Sequence, residues 1–175
     1  MIHHPIEPVF DENSQILILG SFPSVKSREE TFFYAHPQNR FWKVVAAVFD
    51  AEVPKTTEEK KKFLLLNGIA LWDVISSCEI HGSSDSSIKN VSVNDIEYIL
   101  KSSCIKQIFV NGKTAEKYYN KYIRDKINRK AICLPSTSPA NAAWNTERLI
   151  GEWKQIQNFQ NILHNGKFCD KMKLP

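Results

Sequence analysis

The chain has 175 residues, 42% of them hydrophobic and 24% charged, with a formal net charge of +4, a composition typical of one water-soluble globular domain. No run approaches the roughly 20 apolar residues that span a bilayer, and residues 1–10 lack a signal-peptide pattern, so we expect a cytoplasmic protein with no membrane contact. Its 4 cysteines are far apart with no C-x-x-C pair, so we expect no zinc site and no cysteine-ligated cluster. We expect no other cofactor.

Strand and helix patterns alternate along the chain. Short apolar runs rich in β-branched residues predict buried strands at residues 16–19, 69–72, 108–110 and 131–134. Apolar residues at helical spacing predict helices at residues 41–49, 57–66, 92–101, 113–127 and 146–163. Thr56 or Thr57 is the expected N-cap of the second helix.

This alternation predicts an α/β fold with three layers, α/β/α, around a mostly parallel central sheet of about four strands. We expect residues 1–165 to form this single domain and residues 166–175 to form a flexible tail. Such sheets bind ligands at the carboxyl ends of their strands. Polar or turn-forming residues follow each predicted strand there, at residues 20–23, 73–77, 111–112 and 135–138.

The positive charge is concentrated in residues 101–130, which carry nine Lys or Arg against two acids, a net charge of +7. Lys113, Lys117, Lys121 and Arg124 recur at helical spacing and therefore share one helix face. Such a stripe either follows a nucleic-acid backbone or is an ordinary solvated face.

Three segments at the strand ends are unusual. Residues 20–24 read Gly-Ser-Phe-Pro-Ser, residues 34–43 read Tyr-Ala-His-Pro-Gln-Asn-Arg-Phe-Trp-Lys, and residues 134–141 read Leu-Pro-Ser-Thr-Ser-Pro-Ala-Asn. Together with Asn-Gly-Lys at 111–113, they resemble the active-site motifs of the uracil-DNA glycosylase superfamily, over roughly residues 15–165. The likeness is strongest to its mismatch-specific uracil/thymine branch and its deoxyinosine (hypoxanthine) branch.

A glycine at a strand end lets the backbone approach a ligand with its N–H groups exposed, although it also suits a plain strand-to-helix turn. The resemblance implies that the turn of Gly20, Ser21, Phe22 and Pro23 holds a flipped base and its attacking water. Phe22 stands where other branches place a catalytic Asn or Asp. Alignment with the deoxyinosine branch gives the catalytic role to Asn39, a residue type that also suits a helix N-cap, and the two roles are compatible.

A neutral amide such as that of Asn39 is sufficient in principle for the hydrolysis of an N-glycosidic bond. An N-glycosidic bond breaks through an oxocarbenium-like state, so the water needs positioning more than deprotonation. We expect the Asn39 carbonyl to hold the water. The backbone N–H groups of Ser21 and Phe22 are expected to stabilise the charge on the departing base.

Three further residues are expected in the base pocket. Tyr34 ends an aromatic cluster that either stacks on a base or belongs to the core, and the resemblance favours stacking. His36 is either a donor to the base or a phosphate, or a structural residue. Asn111 either pairs with the N–H and C=O of a deaminated base or forms an ordinary Asn-Gly turn.

The loop at 134–141 is stiffened by two prolines and carries hydroxyls suited to phosphate contacts, although it would also serve as a rigid connector. The resemblance implies that it pinches the DNA and inserts Ala140 or Asn141, neither of which is a large apolar wedge. Expected DNA contacts are Ser24, Lys113, Ser136, Thr137, Ser138, Pro139, Ala140 and Asn141. Asp73 and Asp85 are accessory candidates, Asp85 for protonating a purine or orienting a loop, although both suit ordinary turns.

The resemblance implies a monofunctional DNA glycosylase, acting as a monomer in base excision repair on DNA with a deaminated or mismatched base. Phe22 favours hypoxanthine as the base, with uracil second. The alternatives are a G·U/G·T mismatch-specific uracil/thymine glycosylase, a non-catalytic damaged-DNA binding module, and a small-substrate hydrolase using Ser24 or Ser138. The last lacks a G-x-S-x-G elbow and an acidic partner for His36.

Overall fold

The computed structural model describes residues 1–159. Its strands are β1 (Ile2–His3), β2 (Ile16–Gly20), β3 (Ile69–Asp73), β4 (Ile75–Glu79), β5 (Lys89–Val93), β6 (Gln107–Asn111) and β7 (Ala131–Leu134). Its helices are α1 (Val25–Glu29), α2 (Phe41–Val48), α3 (Thr57–Leu66), α4 (Ile96–Lys101), α5 (Lys113–Tyr122), α6 (Arg124–Ile127) and α7 (Thr146–Trp153). Within residues 1–159, no helix has the length and apolarity of a membrane span.

The four predicted strands form one parallel sheet in the order β3-β2-β6-β7. All five residues of the central strand β2 are buried, as expected for a strand covered on both faces. Parallel pairing brings the carboxyl ends of the four strands to one edge. The predicted mostly parallel sheet of four strands is therefore confirmed.

Alternate residues of β2 point to opposite faces of the sheet. Ile16 and Ile18 belong to a core cluster with the apolar sides of α2, α3 and α7. Leu17 and Leu19 belong to a second cluster with α4, α5 and β4. These clusters fill the spaces on either side of the sheet, which gives the predicted α/β/α layers.

Hydrogen bonds between Thr56 and Glu59 stabilise the start of helix α3. The Thr56 hydroxyl accepts a hydrogen bond from the Glu59 N–H, and the Glu59 carboxylate accepts one from the Thr56 N–H. This reciprocal capping box satisfies backbone donors that would otherwise lack partners. Helix α3 spans the predicted residues 57–66.

The structure corrects three predicted elements. Residues 89–93 form strand β5, where a helix was predicted from residue 92, because Lys89, Ser92 and Val93 pair with β4 in a small antiparallel sheet β1-β4-β5. The helix predicted at 113–127 breaks at Ile123 into α5 and α6. Helix α7 ends at Trp153 and continues as a 3-10 helix to Phe159. Three predictions lie outside the described residues: the end of the last helix at 160–163, the domain end at 165 and the tail at 166–175.

The N-terminal segment runs along the end of β3. Strand β1 pairs with β4, and the His4 N–H donates to the Ser76 carbonyl at 2.8 Å. Further along, the Trp72 Nε1–H donates to the Ile6 carbonyl at 3.1 Å. These bonds place the His4 side chain beside the last residue of β3.

Candidate active site

One cleft of about 1000 Å³ opens where the four parallel strands end. Every site residue expected from the sequence lines it, including the turn after β2, the residues around Asn39, and the loop after β7. The cleft is bordered by both acidic and amide side chains. Its position agrees with the general rule for ligand sites in parallel sheets.

Gly20 lines the cleft close to Asp73 and Tyr34. The Gly20 and Ser21 carbonyls accept hydrogen bonds from the Val74 and Ile75 N–H groups at 2.9 and 3.1 Å, which fixes the turn against the end of β3. A Cβ on Gly20 would lie only 2.1 Å from Asp73 Oδ1 and 2.9 Å from the Tyr34 hydroxyl oxygen. Glycine is therefore required by a close approach of side chains, at an ordinary backbone conformation.

Phe22 turns its ring into the protein and is only 8% exposed. The Arg28 guanidinium lies 5.6 Å from the centroid of that ring and donates to the Pro23 carbonyl at 2.7 Å. The Ser24 hydroxyl accepts a hydrogen bond from the Ser27 N–H and so caps α1. This turn therefore contributes backbone and an apolar side chain to the cleft. The Ser24 hydroxyl caps α1, and among the described residues it has no hydrogen bond to a histidine of the kind that a serine hydrolase uses.

Tyr34 has a backbone φ of +52°, a left-handed conformation that is strained for a bulky residue and found most often at functional sites. Its ring stacks on Phe41 with centroids 4.0 Å apart. Its hydroxyl oxygen accepts a hydrogen bond from Asn111 Nδ2 at 3.1 Å. Burial first, and then the Asp73 carboxylate, raise the pKa of Tyr34 well above its ordinary value, so the hydroxyl keeps a proton to donate.

Asn111 joins the ends of β6 and β7. Its Oδ1 accepts from the Thr137 N–H at 3.0 Å, and its Nδ2 donates to the Tyr34 hydroxyl and to Thr137 Oγ1. The backbone donor fixes the orientation of the amide, because an N–H can pair only with the amide oxygen. Both amide hydrogens are used within the protein, so the expected two-point pairing with a base is not available in this arrangement.

Asn39 is held by its carbonyl. Its Oδ1 accepts from the Phe41 N–H and from Thr137 Oγ1, both at 3.0 Å. The first bond satisfies a donor at the start of α2, but Arg40 occupies the N-cap position, so Asn39 lies one residue before the cap. Because a carbonyl oxygen has two lone pairs, the water-holding role expected for Oδ1 has no free site here. The Nδ2 group donates no hydrogen bond among the residues that the structure describes and remains for a ligand.

Thr137 is fully buried. Its hydroxyl accepts from Asn111 and donates to Asn39. Sequence predicted a DNA contact for this residue, and in this structure its hydroxyl is buried and bonded to two side chains of the protein. Thr137 instead connects two amides of the cleft.

Arg40 organises the loop after β7. Its guanidinium donates to the backbone carbonyls of four loop residues: Thr137, Ser138, Asn141 and Trp144. Its own N–H donates to the Thr137 carbonyl at 3.1 Å. Guanidinium has five donors in a rigid plane, which suits it to several carbonyls at once. Sequence reasoning missed this role, since an arginine in a motif gives no sign of its backbone partners.

The remainder of the loop is closed by its own side chains. Ser136 and Ser138 hydroxyls accept from the Ser138 and Ala140 N–H groups at 3.2 Å, and Asn141 Nδ2 donates to the Ser136 carbonyl at 2.9 Å. Pro139 and Ala140 are exposed at the tip. A wedge formed here is therefore small, as the sequence indicates. Trp144, another residue that sequence reasoning missed, also lines the cleft.

Two carboxylates, those of Asp73 and Asp85, line the cleft. Both Asp85 oxygens lie 3.3 Å from the Ser21 hydroxyl. Desolvation by the surrounding protein raises the pKa of Asp85, while hydrogen bonds from Thr114 and Ser21 act against it. Asp73 is 5% exposed, and its Oδ2 lies 2.7 Å from Nε2 of His4. His4 was not expected at the site, because it lies outside every motif.

Lys113 and His36 also line the cleft. The Lys113 side chain is 84% exposed and pairs with Glu116 at 2.7 Å. His36 is exposed, and its Nδ1 accepts from the Gln38 N–H at 3.2 Å. In the part of the chain that the structure describes, no three His, Cys, Asp or Glu residues are grouped as a metal site would require.

The chain was compared with known proteins. Residues 7–164 match the model of the Uracil DNA glycosylase superfamily. A protein named hypoxanthine DNA glycosylase from Methanosarcina acetivorans is 34% identical over 158 residues, covering 89% of this chain and 98% of that protein. Another of the same name, from Methanosarcina barkeri, is 34% identical over 114 residues, covering 63% of this chain and 72% of that protein.

A solved structure agrees with this result. A solution NMR structure from Methanosarcina acetivorans, described as a candidate uracil DNA glycosylase, superposes with a TM-score of 0.78 at 32% identity. The match covers 94% of this chain and 100% of that one. By sequence and by fold, the chain belongs to the uracil DNA glycosylase superfamily.

Proposed function

We propose that this DNA glycosylase removes hypoxanthine from DNA and leaves an abasic site for base excision repair. The observation that carries the proposal is the composition of the cleft. Phe22 places an apolar ring in the turn after β2, beside the Ser21 hydroxyl, and Asn39, Asp73 and Asp85 line the same cleft. The names of the two relatives support the same base.

Asn39 acts on the base in this proposal. Its anchored carbonyl directs the Nδ2 group, which is free to donate. A fixed donor aimed at the departing base stabilises the negative charge that develops as the glycosidic bond breaks. The Ser21 and Phe22 N–H groups at the adjacent turn are further donors for the same charge. We therefore assign Asn39 to the base and leave the water to another group.

Asp85 distinguishes a purine from a pyrimidine in this proposal. A purine leaves more readily when one of its ring nitrogens is protonated, and a general acid contributes about 10²- to 10⁴-fold to such a step. Asp85 lies beside the turn at Ser21, with both carboxylate oxygens 3.3 Å from the Ser21 hydroxyl, and desolvation raises the pKa of this carboxyl above its ordinary value. Uracil has no N7 to receive this proton, so the acid assists hypoxanthine selectively.

Tyr34 completes the pocket. Its hydroxyl accepts from Asn111 and keeps its own hydrogen, which suits it to donate to the O6 carbonyl of hypoxanthine. One face of its ring is covered by Phe41. Stacking on an extruded base would therefore use the other face.

The test is single-turnover cleavage of labelled duplexes that contain deoxyinosine, deoxyuridine or a G·T mismatch, with alkali to convert abasic sites to strand breaks. We expect fast release from deoxyinosine and a loss of about 10²- to 10³-fold in Asn39→Ala, the usual cost of one such donor. Asn13→Ala, an exposed asparagine outside the cleft, is the matched control. Faster release of uracil or thymine would favour the mismatch-specific alternative, and tight binding with no product would favour a binding module.

The role of Asp85 has its own test. Asp85→Asn keeps the shape of the side chain and removes the acid. The release rate should fall at least tenfold with deoxyinosine and little with deoxyuridine, because only the purine needs the proton. An equal loss on both duplexes would show that Asp85 does not act on the leaving base.

A further inference from the structure

His4 and Asp73 form a buried pair at the end of β3. The side chains are only 2% and 5% exposed, and His4 Nε2 lies 2.7 Å from Asp73 Oδ2. His4 Nδ1 accepts a hydrogen bond from the Ile6 N–H at 3.1 Å. An accepting Nδ1 carries no hydrogen, so the neutral ring has its hydrogen on Nε2 and donates it to Asp73.

Three aromatic rings enclose the His4 imidazole. The ring centroids of Phe22, Phe33 and Trp72 lie 5.9, 6.3 and 6.4 Å from that of His4. The ring therefore has little freedom to rotate, and its Nε2–H stays directed at Asp73. This is the arrangement of a group that orients a carboxylate.

The other oxygen of Asp73 remains available. Among the described residues, Oδ1 has no hydrogen-bond donor, and it lies at the cleft beside the Gly20 backbone and the Tyr34 hydroxyl. A nearly buried carboxylate oxygen without a protein donor needs a partner from water or substrate. The absence of a side chain on Gly20 is what leaves it room.

We propose that Asp73 is a catalytic residue that holds the attacking water through Oδ1 and accepts its proton, and that His4 is the positioning residue for Asp73. This inference rests on the proposed glycosylase reaction. The negative carboxylate also faces the sugar, where it stabilises the positive oxocarbenium-like state. Asn39 lacks this capacity, because both lone pairs of its carbonyl are used.

The step balances as follows. The bond from C1′ of the sugar to N9 of the base breaks, and its electron pair leaves with the base. The water oxygen forms the new bond to C1′, and one water proton passes to Asp73 Oδ1. The base takes up a proton from Asp85 or solvent, and Asp73 later returns its proton to solvent.

The first test is Asp73→Asn, with Asp50→Asn as the same change at an exposed position away from the cleft. The amide oxygen can still accept from His4, so the fold should be kept. The maximal single-turnover rate on deoxyinosine duplex should fall at least 100-fold, the usual scale for a general base. The enzyme concentration at half-maximal rate should change less than about threefold. A rate within threefold of wild type would overturn the proposal.

A pair of His4 variants tests the positioning role. His4→Gln keeps an N–H near the Nε2 position, whereas His4→Asn keeps an acceptor for the Ile6 N–H and loses the donor to Asp73. We expect His4→Asn to lower the maximal rate at least tenfold and His4→Gln to restore most of it. If both variants lose rate only in step with their melting temperatures, His4 has a purely structural role and that part of the proposal fails.

The wild-type protein separates two kinds of failure. If it releases no base from any duplex, the proposed function is rejected, and this inference with it. If wild type and Asp73→Asn release hypoxanthine equally fast, the glycosylase reaction stands and only the assignment of Asp73 is rejected.

Discussion

Gly20→Ala tests how tightly the cleft is built. The new Cβ would lie 2.1 Å from Asp73 Oδ1, 2.9 Å from the Tyr34 oxygen and 3.3 Å from Asp73 Cγ. Ordinary contacts are about 3.5 Å, so the carboxylate must move away by roughly 1.4 Å or break its bond to His4. Overpacking of this kind costs about 1–3 kcal/mol of stability. A 1 Å misplacement of a reacting group costs up to about 100-fold in rate.

The assay combines denaturant unfolding with single-turnover release of hypoxanthine. Gly151→Ala is the matched control, because a Cβ there meets no atom within 4 Å. Residue 151 lies in α7, so alanine should add up to about 1 kcal/mol of helix stability. The result that would refute this reasoning is a Gly20→Ala protein with wild-type stability and rate.

Three further substitutions distinguish residues that affect activity or DNA binding from a residue that affects stability alone. Arg40→Lys loses most hydrogen bonds to the loop carbonyls, so the free energy of unfolding, measured by denaturant titration, should fall by about 2–3 kcal/mol. The affinity for DNA, measured by titration with a duplex, should fall as well. Thr137→Val leaves buried amide groups unpaired and should cost about 1–3 kcal/mol with loss of rate, whereas Thr137→Ser should retain both. Thr56→Ala removes the α3 cap and should cost about 1 kcal/mol in a melt while hypoxanthine release is unchanged.

Sequence alone predicted the central sheet well, because a strand buried on both faces must be continuously apolar. Residues 131–134 were predicted and observed with the same bounds. Once those strands are parallel, their ends must share one edge. The grouping of Gly20, Asn111 and the loop after β7 in one cleft follows from that topology.

Other features depend on partners that no local pattern shows. Strand β4 contains serines and reads as a loop until it pairs with β1 and β5. Thr137 looked suited to phosphate, and only the folded chain places its hydroxyl between Asn39 and Asn111. His4 is 69 residues from Asp73 in sequence, and a single histidine near a terminus carries no signal of a distant carboxylate.

The aromatic residue at position 22 is coupled physically to this carboxylate. The Phe22 ring meets the His4 ring edge-on at 5.9 Å, in the same apolar cluster that supports β4. A shorter polar residue at 22 would remove one wall around His4 and free the imidazole to turn away from Asp73. In the proposed mechanism, Phe22 therefore acts as a wall that holds His4 against Asp73, the carboxylate at the end of the next strand, β3.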